Sequence, residues 1–181
     1  MREEHVRLSD GTPAVIRPYD LAHPIPREAL SRAYDKLSDE TKYHRFLSAV
    51  PHLTETLLDH LVDEIDGVDH VVLLLAIEPE KGYDSIVGVG RIIRYPDRPE
   101  VADVAVTVRD EWQGRGGATA LLAALARNRP PGVTQIDTIV SADNTASLKM
   151  LQRLGDCHVD HVGALAVRVT IDLPPVQESV A

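Results

Sequence analysis

Two spacings of apolar residues recur along this chain, and together they predict short strands separated by amphipathic helices. Residues 12–17 follow an Asp-Gly turn and predict a first strand, and residues 70–78 predict a fully buried one. Three helices are predicted between these two strands, and Gly67 is expected to be the C-cap of the third. A turn at Lys81-Gly82 then predicts a β-hairpin between residues 70–78 and 85–95, and residues 101–108 predict a further strand.

Helices and strands alternate in the second half of the chain. The predicted elements are a helix at 118–127, a strand at 133–140, a helix at 145–154 and two strands within 157–173. This order predicts an α/β fold of the α+β type, with a mixed, mostly antiparallel central sheet of about seven strands flanked by about five helices.

Length and charge exclude several classes of protein. The 181 residues correspond to about one domain, so we expect a single domain over 1–173 and a flexible C-terminal tail over 174–181. The net charge of -9 disfavours binding to nucleic acids and to anionic membranes. The longest apolar run, 71–77, is shorter than a membrane helix, and the N-terminus lacks the apolar core of a signal peptide. A cytoplasmic protein is expected.

Residues 104–122 are the most informative segment, because a β-branched strand leads there through a glycine-rich turn into an Ala/Leu helix. Gly114, Gly116 and Gly117 have no Cβ, so their amides can point outward, and the helix N-terminus adds partial positive charge. Arg115 is expected to add a charge-assisted hydrogen bond. This arrangement predicts a turn that binds a pyrophosphate.

The spacing of the turn decides between phosphate-binding motifs. A P-loop would need a Lys, and the dinucleotide motif would need Gly or Ala at Thr119. The pattern that fits is Gln-x-x-Gly-x-[Gly/Ala], formed by Gln113, Gly116 and Ala118. In this pattern, and in a helix that follows Asn144 and ends in Leu-Gly, the chain resembles the GNAT superfamily of acetyl-CoA-dependent N-acetyltransferases.

The resemblance covers nearly the whole chain. Segments at 16–18, 37–46 and 66–76 are similar to the bacterial protein-lysine acetyltransferase branch. The resemblance implies a GNAT-like sheet that splays apart between its fourth and fifth strands, with the acetyl-CoA thioester in the opening. It implies acetyl-CoA as co-substrate, no metal, and a protein lysine or a small amine as acceptor, and it leaves the oligomeric state open.

The same resemblance assigns cofactor contacts to the fourth strand, to the glycine-rich turn and to the last helix. The expected cofactor-binding residues are Val106, Thr107, Val108, Gln113, Gly114, Arg115, Gly116, Gly117, Ala118, Thr119, Asn144 and Ser147. The strand backbone would pair with the pantetheine amides, and the turn amides would hold the pyrophosphate.

Catalysis by direct attack needs a base, because a lysine amine with a pKa of about 10.4 is protonated at neutral pH. The lysine-acetylating branch uses a Glu on the fourth strand, and Asp103 occupies the matching position here. Asp103 is one methylene shorter, so a water relay is expected. Leu151 replaces the Tyr that protonates the thiolate in many family members, which leaves that proton to solvent.

Several alternatives remain open at the level of sequence. Asp103 is alternatively a surface carboxylate paired with Arg91 or Arg94, with Glu100 as the substitute base. The replacement at Leu151 is alternatively the mark of a catalytically weakened acyl-CoA sensor.

Two polar clusters are expected to have no role in the site. Residues 43–46 should pack their helix, with solvated charges. The Cys, His and Asp side chains of 157–161 should divide between the two faces of a strand, so no metal site is expected there.

Overall fold

Eight strands form one sheet in the computed structural model, which describes residues 2–175. The strands are β1 (Glu4–Arg7), β2 (Pro13–Pro18), β3 (His70–Ala76), β4 (Ile86–Tyr95), β5 (Arg98–Val108), β6 (Gln135–Ser141), β7 (Asp156–His161) and β8 (Ala166–Asp172). Their order across the sheet is β1-β2-β3-β4-β5-β6-β8-β7. Neighbouring strands are antiparallel except β5 and β6, which are parallel.

The helices lie on both faces of this sheet. They are α1 (Arg27–Asp35), α2 (Asp39–Phe46), α3 (Glu55–Leu58), α4 (Gly117–Arg127) and α5 (Thr145–Leu151). A π-helical turn, Asp59–Asp63, continues α3, and short 3-10 segments lie at Pro79–Ser85 and Asp110–Trp112. The predicted fold class is therefore confirmed.

The structure differs from the prediction at β1 and at Gly67. β1 carries one apolar residue, Val6, at the edge of the sheet, so it has no hydrophobic alternation that a sequence pattern detects. Gly67 is not a C-cap, because the helical segment ends at Asp63. Gly67 instead takes a φ of 73° in the turn before β3, where its amide donates to the His70 carbonyl at 3.1 Å.

The predicted C-terminal tail lies mostly outside the described residues, which end at 175. Within the described part, the Pro174 carbonyl accepts a hydrogen bond of 2.6 Å from Arg129.

The packing of α4 against β4 positions the N-terminus of that helix. Leu121 and Leu125 are fully buried against the sheet, and two glycines of β4 make room for them. A Cβ at Gly90 would lie 2.8 Å from Leu125 Cδ1, so only glycine allows this close approach. The helix therefore begins beside the end of β5, where a ligand can reach its first amides.

The sheet opens between β5 and β6, as the resemblance implies for its fourth and fifth strands. The two strands pair only at Val101–Gln135 and Ala102–Ile136, and beyond Ala102 they diverge. The pairing of β5 with β4 continues to Val108, so β5 keeps one bonded edge and exposes the other. The result is a gap lined by unpaired backbone.

Candidate active site

The turn between β5 and α4 leaves a run of backbone amides without acceptors. No hydrogen bond joins the amides of 114–119 to another atom of the described residues. Gly114 and Gly116 take positive φ values of 71° and 82°, which favour glycine. The amide of Gln113 is excluded from this run, because it donates to the Asp110 carbonyl at 3.2 Å. Free amides at a helix N-terminus form an anion site.

Contacts outside the cleft fix the shape of this turn. A Cβ at Gly117 would lie 2.6 Å from Leu75 Cδ2, so the turn lies directly on β3. The Ser9 amide donates to the Arg115 carbonyl at 2.9 Å, and the Arg115 guanidinium pairs with Asp10 at 2.9 Å. Arg115 is thus placed away from the pyrophosphate position expected for it, in a contact that holds the turn between β1 and β2.

A cleft of about 430 Å³ runs beside the turn. Asn144 lines it and also caps α5, because its side-chain oxygen accepts from the Ser147 amide at 3.0 Å. The structure brings every expected cofactor-binding residue except Arg115 to this cleft: Val106, Thr107, Val108, Gln113, Gly114, Gly116, Gly117, Ala118, Thr119, Asn144 and Ser147.

The open edge of β5 offers one unpaired residue to a ligand. Thr138 Oγ1 donates to the Val104 carbonyl at 3.3 Å, and Gln113 Nε2 donates to the Val108 carbonyl at 3.1 Å. Because the polar groups of a strand alternate between its two edges, those of Val106 also face the gap. They have no partner there among the described residues. An extended ligand with amide groups can pair with this position in the manner of an added strand.

Asp103 lies at the other end of the gap, on the face of the sheet that α2 covers. It lines a cavity of about 280 Å³ between β5 and β6, together with Arg45 and Thr138. Burial raises the pKa of the Asp103 carboxyl, while Thr138, the Val104 amide and the charge of Arg45 act in the opposite direction. The carboxyl is therefore a stronger base than an exposed Asp.

The alternative partners of Asp103 are engaged elsewhere. Arg91 contacts His70 Nε2 at 3.2 Å and donates to the Leu61 carbonyl at 3.1 Å. Arg94 pairs with Asp69 at 2.7 Å. Neither arginine forms an ion pair with Asp103, so the carboxylate is left facing the cavity.

Leu151 is buried in the wall of the same cavity and has no proton to give. Two side chains that carry transferable protons line both the cleft and this cavity, namely His44 and Ser147. His44 Nε2 lies 3.3 Å from Asp143 Oδ1, which also accepts from Ser141 at 2.6 Å.

The sequence prediction missed His44 and Arg45, which it assigned to helix packing. α2 crosses the end of the gap and brings both side chains to the cavities. The spacing of residues within α2 could not predict that these side chains reach the cavities, because the position of α2 depends on long-range contacts. The Asp110 carboxylate supplies some of them, accepting from the Ser38 amide at 2.8 Å and from Thr41 Oγ1 at 2.7 Å.

Two further features are absent from residues 2–175. No group of three or more His, Cys, Asp or Glu side chains in this part of the chain is arranged to hold a metal ion. Among the helices of the same residues, none has both the length and the apolar composition needed to cross a bilayer.

Sequence and structure comparisons agree with this site. Residues 30–156 match the model of the acetyltransferase (GNAT) family, and the chain belongs to that family. It is similar to Acetyltransferase Pat of Mycolicibacterium smegmatis, with 35% identity over 143 residues, which are 78% of this chain and 41% of that protein. The chain therefore spans about two fifths of the length of that relative.

Two other proteins extend the comparison. Acetyltransferase PA5475 of Pseudomonas aeruginosa is 30% identical over 149 residues, covering 82% of this chain and 77% of its own length. The crystal structure of the GNAT domain of S. lividans PAT superposes with a TM-score of 0.77 at 30% identity, covering 94% of this chain and 97% of that one. The resemblance predicted from the sequence, including its branch, is confirmed.

Proposed function

We propose that this domain transfers the acetyl group of acetyl-CoA to a primary amine, that of a protein lysine, and that it acts in the cytoplasm. The observation that carries the proposal is the continuity of the amides of 114–119 with the unpaired edge of β5 at Val106. One extended ligand with a diphosphate at one end and amides along its length matches both features. Coenzyme A has this construction.

The cofactor is assigned to the cleft in one orientation. The amides of 114–119 bind the pyrophosphate, where the N-terminus of α4 supplies positive charge within an acidic protein. The polar groups of Val106 pair with the pantetheine amides, beside Asn144 and Ser147. The thioester then lies in the gap between β5 and β6, which leads to Asp103.

Asp103 is the proposed general base. Its carboxylate removes a proton from the ammonium of the acceptor through one water molecule, and the amine then attacks the acetyl carbonyl. A C–N bond forms and the C–S bond breaks, the nitrogen releases its second proton to water, and the thiolate takes a proton from solvent. Burial of Asp103 supports this role, because a base with a raised pKa accepts the proton more readily.

The acceptor class rests on the similarity to the Pat relatives. A small cationic amine, such as a polyamine or an aminoglycoside, is the alternative acceptor, since the net charge of -9 attracts it.

The test is a mass-spectrometric screen of lysine acetylation in a cell lysate, with and without acetyl-CoA. Wild type and Asp103→Asn are compared with Asp97→Asn, which alters an exposed carboxylate in the turn between β4 and β5. We expect new acetyl-lysines with wild type and Asp97→Asn, and few with Asp103→Asn. Acetylation of small amines only would contradict the protein acceptor.

A second candidate function is an acyl-CoA sensor without turnover, and burial of Leu151 at the place of a proton donor favours it. Acetyl-CoA that binds without acetylation of any amine offered would support the sensor.

A further inference from the structure

Arg45 occupies a junction that the proposed reaction does not use. Its side chain lines the cofactor cleft, the cavity that holds Asp103, and a third, apolar cavity of about 130 Å³ between α1, α2 and β4. Among the residues that the structure describes as lining these cavities, Arg45 alone lines all three. A ligand that enters any of the three spaces can therefore contact the Arg45 side chain.

The Arg45 guanidinium has no partner in the described part of the chain. It donates no hydrogen bond and forms no ion pair, although its side chain is half-buried and stacks 4.8 Å from the Phe46 ring. Every fully buried side-chain nitrogen or oxygen in residues 2–175 has a partner. Part of the Arg45 guanidinium is therefore accessible, to solvent or to the cavities that this side chain lines.

A guanidinium without a hydrogen-bond or ion-pair partner is a candidate binding group for an anion. Five N–H donors in a fixed plane match a carboxylate in a two-bond arrangement, and an unpaired buried charge is costly. Burial lowers the pKa of Arg45, and the charge of Asp103 opposes that shift. Asp103 attracts the guanidinium without bonding to it, so the donors stay available.

A second positive charge near Arg45 makes the binding of an anion there more favourable. Arg91 is buried on the same face, and its charge adds to that of Arg45. His70, which Arg91 contacts, is neutral at neutral pH, because burial and the charge of Arg91 lower the His70 pKa to about 4. Asp103 is thus the one carboxylate whose charge is seen to act on Arg45 among the described residues, and it acts without an ion pair.

The third cavity is suited to an organic acceptor rather than to a free ion. Its walls are mostly apolar, and small-molecule sites typically combine such walls with a few polar groups. The apolar side chains lining it include Leu30, Ala33, Leu37, Phe46, Ile86 and Val89. A carboxylate held at Arg45 would leave the remainder of the acceptor in this space and its amine toward Asp103.

We propose that Arg45 binds a carboxylate of the acceptor, so that the domain selects amines that carry an acidic group close by. This inference rests on the proposed function and names its acceptor more closely. The same positive charge disfavours the ammonium form of the acceptor and therefore favours the neutral amine that attacks the thioester.

The carboxylate can come from two sources, and the test separates them. One is an acidic residue next to a lysine in a polypeptide, and the other is the α-carboxylate of a free amino acid. The first pair of probes is two blocked dipeptides, in which Lys is followed by Glu or by Gln. The second pair is Nα-acetyl-lysine and Nα-acetyl-lysine amide. Each pair differs in one negative charge and in almost nothing else.

Binding of each probe to the full chain saturated with CoA is measured by calorimetry, so that no turnover is needed. Wild type should bind the carboxylate member of at least one pair about tenfold or more tightly, the gain expected for a hydrogen bond to a charged group. Arg45→Gln should lose this preference. Arg32→Gln removes a positive charge from an exposed position on α1, and this control variant should retain the preference for the carboxylate probe.

Arg45→Lys keeps the charge without the planar donor pair and should retain part of the preference, which keeps the test decisive if Arg45→Gln does not fold. Equal binding of both members of each pair by wild type would overturn the inference. An unchanged preference in Arg45→Gln would also overturn it. So would a result in which Arg45→Gln loses affinity only for succinyl-CoA relative to acetyl-CoA, because Arg45 would then bind the acyl donor.

The binding test and the proposed function fail in different ways. If the preference depends on Arg45 but no amine is acetylated, the carboxylate site stands and the transferase proposal falls. If amines are acetylated without regard to their charge in wild type and Arg45→Gln alike, the proposed function stands and this inference falls.

Discussion

At the scale of single residues, the proposed chemistry depends on the carboxylate of Asp103. Its pKa is raised because burial disfavours the charged form more than Arg45 and the nearby hydrogen-bond donors favour it. The carboxylate is the active form of a base, so the rate should fall as the pH decreases through this pKa. That fall should occur above the pH at which an ordinary Asp, with a pKa of 3.8, is protonated.

Asp103→Asn should reduce kcat by about 100-fold or more, the usual contribution of a general base. The acidic limb of the kcat profile against pH should disappear in the same variant, while the Kd for acetyl-CoA stays unchanged. Steady-state kinetics across the acidic range measure both. A wild-type acidic limb that persists in Asp103→Asn would assign it to another group, and Asp97→Asn serves as the control.

Asp103 should also lower the stability of the folded protein at neutral pH. Its folded-state pKa lies above the unfolded one, so its carboxyl costs nothing below the unfolded pKa and destabilises the fold as the pH rises through the folded pKa. Asp103→Asn should therefore raise Tm at neutral pH and leave it unchanged in strong acid. Thermal denaturation at both pH values checks this, and a lower Tm at neutral pH would contradict it.

Local pattern could predict some of the site residues but not others. The turn glycines lie within one continuous segment of strand, turn and helix, so spacing along the chain identifies them, whereas Asp103 was expected from the family resemblance. His44 and Arg45 lie on a helix distant in sequence, and only the position of α2 across the gap brings them to the cavities. The contact of Arg115 with Asp10 joins distant parts of the chain in the same way.

At the scale of elements, the turn between β5 and α4 holds its amides outward through glycine conformations. Gly116→Ala should cost about 1 to 2 kcal/mol in unfolding free energy, because φ is 82° there. Gly132→Ala should cost about as much, since its φ of 86° lies in the same region of backbone space. Only Gly116→Ala should weaken CoA binding, by about tenfold, because its strain reorients the turn amides.

Chemical denaturation and calorimetry of the two variants measure these effects. Gly132 lies in the connection between α4 and β6, away from the cleft lining, which makes it the matched control. Equal losses of CoA affinity in both variants would show that the turn has no special part in binding.

Element boundaries show where the sequence pattern stops being informative. α4 and α5 were predictable because apolar residues recur at helical spacing between a glycine turn or an Asn cap and a terminating residue. β1 was not predicted, because an exposed edge strand needs no alternation of apolar and polar residues. Gly67 has the positive φ of a C-cap, yet it serves a turn.

At the scale of the whole molecule, the opening in the sheet is the feature that defines the site. It joins the cleft beside α4 and α5 to the cavity that holds Asp103, and residues of α2 line both spaces. Strand periodicity predicted a mixed sheet, and the opening was expected only from the family resemblance. Periodicity reports which side chains are buried, whereas the divergence of β5 and β6 concerns backbone pairing.

The whole molecule is also acidic, so its affinity for an anionic cofactor has to be local. The turn amides and the N-terminus of α4 are the groups proposed to supply that affinity, since Arg115 is paired with Asp10. The diphosphate should therefore contribute most of the binding energy of CoA, and the pantetheine arm less.

The most direct test of this account is a calorimetric comparison of CoA with pantetheine, which lacks the diphosphate and the 3′-phosphoadenosine attached to it. The account predicts that CoA binds about 100-fold or more tightly, because several charge-assisted hydrogen bonds from the amides of 114–119 are lost with pantetheine. Equal affinities for the two ligands, or no binding of CoA at sub-millimolar concentration, would contradict it.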